Sequence, residues 1–232
     1  MKFNIEKEVS LLNQSLKIVI TDDGSPTVYS SEFDEIYHST RGALQEARHV
    51  YIEHGLKLLE SSSVRVLEMG LGTGLNAALT AQFAIENKHS IRYVGIEKYP
   101  LLFDFSSEVT QLYDGYDWQK WMTKINEAEW DVEIEINDFF GIQKVEADFL
   151  TWDTIEKFDV IYFDAFAPEK QAMLWQEDVF TKCFSLLNSG GVLSTYCSKS
   201  IVQKQLKSVG FEVEKYPGPP GKREILVARK NS

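Results

Sequence analysis

The sequence predicts an α/β fold built on a mostly parallel sheet of seven strands, one of them antiparallel. From about residue 64, short apolar segments alternate with segments of helical spacing, which is typical of a parallel sheet covered by helices on both faces. Only "PGPPGKR" separates the last two apolar segments, so they should form an antiparallel hairpin. The 232 residues, 44% hydrophobic and 25% charged, suffice for one sizeable core.

The first 60 residues do not follow this alternation. "SLKIVI" and "PTVYS" flank "TDDG", which indicates a β-hairpin. From about Ser39 to Leu58 apolar residues recur at helical spacing and predict a continuous helix. We therefore place a hairpin and helix extension at residues 1–60 and the main domain at 61–232.

The main domain is predicted element by element. Its strands are "VRVLEM", "RYVGIEK", "IQKVEADFL", "FDVIYFD", "GGVLSTY", "FEVEKY" and "EILVARK". Helices begin near Leu75 and run through "YPLLFDFSSEVTQLY", "EDVFTKCFSLLN" and "KSIVQKQLKSVG". Residues 99–140 hold ten of the 29 aromatic residues, and we interpret about 113–140 as an insertion whose rings pack in the core rather than stack on bases.

Composition excludes several classes of protein. No apolar run approaches the length of a bilayer span, and "MKFNIEKEVS" lacks a signal peptide, so we expect a cytoplasmic protein with no membrane partner. Cys183 and Cys197 are too few for a disulfide framework, and neither they nor the four histidines have metal-ligand spacing. We expect no metal.

Charge is distributed unevenly along the chain. The net charge is −11, but from Ser198 to the C terminus eight Lys or Arg face three Glu, a net +5. A basic end on an acidic body could hold a polyanion. On charge alone, a solvated helix and strand at the chain terminus is the better explanation.

Acidic residues stand at or near the ends of four predicted strands. In open α/β sheets, ligands bind beyond the carboxyl ends of the strands. Singly, each acid is more often a loop or cap residue, whereas together they would form one rim. The acids are Glu68, Glu97, Asp148 and Asp164.

Three alternating glycines follow the first strand of the main domain. Gly70, Gly72 and Gly74 differ from the dinucleotide fingerprint, whose third glycine comes one residue later. Glu68, two residues before them, would repel a pyrophosphate but attract a sulfonium or ammonium group. The pattern therefore favours S-adenosylmethionine over NAD, on a Rossmann-like class I methyltransferase fold.

The other rim acids suit the remaining parts of this cofactor and an acceptor. Glu97 could hold the ribose diol, and Asp148 with Phe149 could meet the adenine edge and ring. Asp164 would stand where an acceptor amine arrives, to orient it or to take its proton, and both roles stay open. The following Phe166 and Pro168 would exclude water.

The chain resembles the MnmC-type tRNA wobble-uridine methyltransferases between about Leu16 and Arg229. The resemblance lies in "YHSTRGALQEARHVYIEHGL", "LEMGLGTGLNA", "YFDAFAPEKQAMLW", "TYCSK" and "PGPPGKRE". It implies N-methylation of the 5-aminomethyl group of (2-thio)uridine in tRNA. In the bifunctional enzymes an FAD-dependent oxidoreductase is joined to this module. We expect no FAD here, since the chain leaves no room for that domain, and a separate enzyme would supply the aminomethyl precursor.

The resemblance also implies functional residues. It places Glu68, the three glycines, Glu97, Asp148 and Phe149 at the methyl donor and Asp164 at the amine. The acceptor-side candidates are Tyr37, His38, Arg41, Phe166, Pro168, Tyr196, Ser198, Lys222 and Arg223.

Two other functions stay open on the sequence. A small-molecule amine methyltransferase or a polyamine aminopropyltransferase would also need acids around an amine, and a charge of −11 suits a free polyamine. A noncatalytic partner that binds S-adenosylmethionine or tRNA is a third possibility, against which the intact acidic rim argues.

Overall fold

The N-terminal part of the chain forms a four-stranded antiparallel sheet. The computed structural model describes residues 5–11 and 14–231. The strands β1 to β4 pair in chain order, and β2 and β3 form the predicted hairpin, in which Ile18 lies opposite Val28. The strands are β1 (Ile5–Leu11), β2 (Gln14–Ile20), β3 (Pro26–Ser30) and β4 (Glu35–Ile36). Of these, β1 and β4 were not predicted.

The long N-terminal helix expected from the sequence is broken, and that expectation was wrong. An α-helix (α1, Ala43–Ala47) continues as a π-helical segment (Arg48–Glu53) and ends in a 3₁₀ turn (Leu56–Leu58). A Cβ on Gly55 would lie 2.5 Å from the Tyr51 carbonyl oxygen and 2.9 Å from Ser194 Oγ, so the chain packs there too closely for a side chain. The wider turn buries three consecutive residues, 50 to 52, against the rest of the protein.

The main sheet confirms the fold class but has eight strands rather than seven. Its order is β11-β12-β10-β9-β5-β6-β8-β7. The extra strand is β7, which runs antiparallel to β8 at one edge, so β7 and β12 are both reversed. The strands are β5 (Ser63–Met69), β6 (Ser90–Glu97), β7 (Glu133–Asn137), β8 (Phe140–Glu146), β9 (Phe158–Phe163), β10 (Leu187–Thr195), β11 (Glu212–Pro217) and β12 (Glu224–Arg229).

The sequence missed β7 because it lies inside the aromatic-rich stretch. Its "EIEIN" alternates as an edge strand does, and its turn is closed by the Phe139 N–H, which donates to Asn137 Oδ1 at 2.9 Å. The predicted antiparallel hairpin of β11 and β12 is confirmed at the opposite edge.

Helices cover both faces of the main sheet, as predicted. One face packs against α2, α3, α4 and the N-terminal extension, and the other against α5 and α6. The helices are α2 (Leu75–Asn87), α3 (Phe103–Gln111), α4 (Gln119–Glu127), α5 (Glu177–Leu186) and α6 (Ser200–Ser208). Helix α4 was not predicted, but Trp118 and Trp121 are buried, which confirms their interpretation as core residues. The division of the chain at residue 60 stays a prediction.

The described residues contain neither a membrane-spanning helix nor a cluster of metal-ligating side chains. None of the helices in this part of the chain is long and apolar enough to cross a membrane. Within the same residues, no group of three or more His, Cys, Asp or Glu side chains is placed to hold a metal ion. Cys183 and Cys197 are buried free thiols.

Candidate active site

An open cavity of about 760 Å³ lies at the carboxyl end of the main sheet. Its walls come from the loops that follow β5, β6, β8 and β9, and from the segment of the extension that contains Phe33, Tyr37 and His38. Six of the residues predicted for the cofactor and the chemistry line it: Gly70, Gly72, Glu97, Asp148, Phe149 and Asp164.

The glycine loop after β5 needs its glycines for close packing. Gly70 and Gly72 have φ angles of 90° and 52°. A Cβ on Gly70 would lie 2.7 Å from the Asp164 carbonyl oxygen, and one on Gly72 would lie 3.0 Å from the Tyr37 ring. The loop is therefore pressed between the end of β9 and the N-terminal extension, with bare backbone towards the cavity.

Glu97 ties this loop to the end of β6. Its Oε2 accepts a hydrogen bond from the Gly72 N–H at 3.0 Å, and its Oε1 accepts one from the Tyr99 N–H at 2.8 Å. Burial raises the pKa of Glu97, and the backbone donors oppose that rise. The carboxylate is thus fixed by main-chain groups that are neighbours in the fold.

Asp148 and Phe149 form the part of the cavity wall that follows β8. Asp148 Oδ2 pairs with the Lys98 ammonium at 2.8 Å, and its Oδ1 accepts from the Leu150 N–H at 2.9 Å. Burial works against ionisation, but these hydrogen bonds leave the pKa of Asp148 below its ordinary value. The Phe149 ring is buried and stacks on Trp152 at 6.3 Å.

Asp164, at the end of β9, is the acid with the most perturbed environment in the cavity wall. Burial raises its pKa to about 7, so the carboxyl group exchanges a proton near neutral pH. Asn76 Nδ2 donates to its Oδ2 at 2.8 Å. The buried Tyr51 hydroxyl also stabilises the charged form, although it makes no hydrogen bond of regular geometry.

Two residues predicted for the cofactor do not line the cavity. Glu68 is fully buried beneath it, where its carboxyl group accepts hydrogen bonds from Asn76 at 2.8 Å and Tyr93 at 2.7 Å. Gly74 begins α2, and a Cβ there would contact Ile125 of α4 at 3.4 Å. The structure therefore separates both from the donor wall.

Three of the acceptor-side candidates line the cavity. Tyr37 packs edge-on against Phe166 at 5.1 Å, and Phe33 packs on the other side of Phe166 at 5.1 Å. His38 Nδ1 lies 2.9 Å from Thr27 Oγ1, and burial lowers the pKa of His38 to about 4, so its ring is neutral. The extension thus closes the cavity with aromatic and neutral groups.

Two other candidates, Lys222 and Tyr196, form a half-buried cluster behind Asp164. The Lys222 ammonium pairs with Glu46 of α1 and lies 3.8 Å above the centre of the Tyr196 ring. The Tyr196 hydroxyl donates to the Ala165 carbonyl oxygen at 2.8 Å. Asp164 is electrostatically coupled to Glu46 and Lys222, so this cluster lies close to Asp164.

The four remaining candidates lie outside the cavity wall. Arg41 is exposed and pairs with Asp22 at 2.9 Å, while its stem packs on Gly221 of the β11–β12 loop. Arg223 is exposed, and Pro168 and Ser198 are half-buried. The structure does not bring these four residues into contact with the space in which a donor would lie.

A comparison with known protein families identifies the class of enzyme to which this chain belongs. The profile of a family described as S-adenosyl-L-methionine-dependent methyltransferase matches residues 106–231, more than half of the chain. The chain belongs to this methyltransferase family.

Curated relatives of the methyltransferase carry a more specific name. This chain is 30% identical to the "tRNA 5-methylaminomethyl-2-thiouridine biosynthesis bifunctional protein MnmC" of Cupriavidus necator over 90% of this chain and 34% of that protein. The protein of the same name from Actinobacillus pleuropneumoniae serotype 5b is 28% identical over 96% of this chain and 36% of that protein. The methyltransferase thus spans about a third of the length of these relatives.

Solved structures show that the fold is shared. MnmC2 from Aquifex aeolicus superposes with a TM-score of 0.74 at 24% identity, over 98% of this chain and 72% of that one. Spermidine synthase from Thermotoga maritima superposes with a TM-score of 0.67 at 14% identity, over 100% and 75%. The mostly parallel sheet with its N-terminal extension is therefore a known arrangement.

Sequence reasoning missed several residues around the cavity of this methyltransferase. Asn76 and Tyr51 gave no signal, because their neighbours along the chain are ordinary helix residues and only the fold brings them to Asp164. Glu46 was predicted only as part of a helix. Lys98 could have been found, since it directly follows Glu97 at a strand end.

Proposed function

We propose that this methyltransferase transfers a methyl group from S-adenosylmethionine to the 5-aminomethyl group of (2-thio)uridine at the wobble position of tRNA. The observation that carries the proposal is Asp164, a carboxyl group that titrates near neutral pH at the wall of the cavity. An acid of this kind suits an amine acceptor. The names of the curated relatives support the choice of tRNA uridine.

The donor side of the cavity fits the methyl donor. Glu97 would bind the ribose, and Asp148 with Phe149 would hold the adenine. Gly70 and Gly72 line the cavity, and the methionine part would lie against their main-chain atoms. When bound there, S-adenosylmethionine supplies an electrophilic methyl group on a sulfonium.

Asp164 would prepare the acceptor nitrogen. An aliphatic ammonium has no lone pair with which to attack, so it must first lose a proton. The ionised Asp164 would attract that ammonium, accept its proton and leave the nitrogen free for in-line attack on the methyl carbon. A new N–C bond forms as the C–S bond breaks, and alignment of the three atoms supplies much of the rate.

The acceptor base would lie between the aromatic wall and the cluster behind Asp164. Tyr37 and Phe166 offer ring faces and edges, and neutral His38 offers a hydrogen-bonding nitrogen. Exposed Arg223, in the β11–β12 loop directly before β12, is available to a phosphate. The aminomethyl group must exist before this step, so we propose that a separate enzyme activity forms the precursor.

Methyl transfer from labelled S-adenosylmethionine to bulk tRNA that lacks the modification tests the proposal. We expect label in the wobble nucleoside with the wild type, and a loss of roughly 10²–10⁴-fold in rate with Asp164→Asn. Asp153→Asn, which changes an exposed acid, is the matched control and should transfer at the wild-type rate.

The same assay separates the competing functions. Label in a polyamine or another small amine, with none in tRNA, would show that tRNA is not the acceptor, while S-adenosylmethionine would remain the methyl donor. Binding of S-adenosylmethionine without transfer to either class would favour a noncatalytic role. Full activity of Asp164→Asn on tRNA would keep the substrate and remove Asp164 from the chemistry.

A further inference from the structure

Asn76 joins two acidic side chains beneath the cavity. Its Nδ2 donates one hydrogen bond to Glu68 Oε1 at 2.8 Å and another to Asp164 Oδ2 at 2.8 Å. The Tyr93 hydroxyl donates to Glu68 Oε2 at 2.7 Å. Both Glu68 and Asn76 are buried, so the connection runs from the core of the sheet to the wall of the cavity.

The amide of Asn76 is oriented by these two acids alone. Its Oδ1 is buried and makes no hydrogen bond with the described residues. A buried acceptor without a hydrogen bond destabilises the protein. In Asn76 this cost accompanies an orientation in which both N–H groups of the amide donate to carboxyl groups. The first turn of α2 fixes the backbone of Asn76, whose carbonyl oxygen accepts from Thr80 Oγ1 at 2.8 Å.

The two acids differ in their surroundings. Glu68 has only neutral hydrogen-bond partners among the described residues, and burial together with the nearby Asp164 raises its pKa well above the ordinary value. Two adjacent buried carboxyl groups do not both ionise cheaply. The groups that face Asp164 from other elements include Lys222, whose charge favours ionisation of Asp164. The other titratable groups that interact with it are Glu46, Tyr51, Tyr196, Glu68 and Tyr93.

We propose that Glu68 and Asn76 are positioning residues that hold the Asp164 carboxyl group in place, and that Glu68 does not contact the methyl donor. This inference rests on the role of Asp164 in the proposed function. It reassigns the acid before the glycine loop: Glu68 remains protonated in the core, and its bond to Asn76 directs the second N–H of that amide at Asp164. Protonation of Glu68 reverses its hydrogen bond with Tyr93: the Oε2–H group of Glu68 donates to the Tyr93 oxygen, while Oε1 still accepts from Asn76.

Two variants and a control test the inference. Glu68→Gln keeps the network, because the glutamine carbonyl accepts from Asn76 and its amide donates to Tyr93. Asn76→Ala removes both hydrogen bonds. Ser106→Ala is the control, since Ser106 is equally buried but bonds to the Phe103 carbonyl oxygen, away from the network.

The first measurements use no acceptor. Calorimetry should give an S-adenosylmethionine Kd within about twofold of the wild type for all three variants. Infrared titration of the Asp164 carboxyl band, identified by its loss in Asp164→Asn, should show a midpoint that rises in Asn76→Ala and stays near that of the wild type in Glu68→Gln. The rise is expected because Asn76 stabilises the charged form of Asp164.

Methyl transfer at saturating S-adenosylmethionine completes the test. Asn76→Ala should be at least about tenfold slower at neutral pH, and Glu68→Gln should stay within about threefold of the wild type. Tenfold weaker donor binding in Glu68→Gln would overturn the inference by placing the Glu68 charge at the donor. An unchanged Asp164 midpoint in Asn76→Ala would overturn it as well.

The design separates this inference from the proposed function. If tRNA is the wrong acceptor, the binding and infrared results stand while the transfer assay fails for every variant, the wild type included. If Asn76→Ala does not fold, Asn76→Ser is measured in the same way, because it also loses the two-pronged amide.

Discussion

The two sides of the cavity, to which we assign the methyl donor and the acceptor, are built in different ways. On the donor side, Glu97 is held by the N–H groups of Gly72 and Tyr99, both from loops that follow adjacent strands. On the acceptor side, Glu46 comes from α1 and Lys222 from the β11–β12 loop, 176 positions apart, and the two meet as side chains. The contacts of the first side are determined by the order of the strands in the sheet. Those of the second side depend on how elements distant in sequence pack together.

This difference predicts how substitutions on each side affect ligand binding and stability. Backbone donors remain when a side chain changes, so a substitution on the donor side should alter ligand binding and leave the fold intact. A buried ion pair loses its balance when either partner is removed. Substitutions on the acceptor side should therefore affect the stability of the whole protein.

The largest effect on stability is expected from Lys222→Met. It would leave the Glu46 carboxylate, whose side chain is 7% exposed, without its cation. We expect the free energy of unfolding to fall by roughly 3 kcal/mol. Lys199→Met is the matched control, because the side chains of the Lys199–Glu169 pair are 44% and 63% exposed, and it should cost less than about 1 kcal/mol. Urea denaturation of both variants measures the contrast, and equal losses would show that burial does not distinguish the pairs.

An intermediate effect, on ligand binding, is expected from Glu97→Gln. Two N–H groups, of Gly72 and Tyr99, now donate to the two oxygens of the carboxylate, whereas a glutamine has only one acceptor oxygen. The variant therefore loses a hydrogen bond to one of the loops and an acceptor for the ribose. S-adenosylmethionine should bind about 10-fold to 100-fold more weakly, while the rate at saturation stays within about threefold. Exposed Glu60→Gln should match the wild type in the same calorimetric titration. A variant that binds normally would remove Glu97 from the donor site.

The smallest effect is a difference in the pH dependence of stability between the two sides. The pKa of Asp164 is raised to about 7, so its contribution to stability is fully present below the ordinary carboxyl range and is lost as the pH rises through about 7. Asp164→Asn mimics the protonated form. Its Tm relative to the wild type should therefore increase between about pH 4 and pH 7 and level off above pH 7.

Asp148 should show the opposite sign. Its pKa is lowered, so its contribution is present above the unfolded pKa and is lost as the pH falls. Asp148→Asn should therefore be less stable than the wild type near neutral pH and approach it in acid. Thermal scans across pH for both variants decide the comparison. Parallel curves for the two variants would contradict the electrostatic difference between the sides.

Much of the fold could be predicted from the sequence, and the misses have local causes. The alternation of apolar strands and helices survives in the structure because each buried strand needs its own apolar run. Strand β7 was missed because it is a short edge strand among aromatic residues. The continuous helix over residues 39–58 was wrong because spacing does not reveal the tight contact of Gly55 with Tyr51 and Ser194.

The position of the residues that we assign to the donor could be predicted from the sequence alone. Gly70, Gly72, Glu97 and Asp148 each stand at or just beyond the end of a strand, and the carboxyl ends of parallel strands meet at one edge whatever the details of packing. The tertiary structure decided how deep each acid lies. It placed Glu68 in the core behind Asn76 and joined Glu46 to Lys222, because side-chain depth and long-range pairing depend on the packing of elements that the chain order does not bring together.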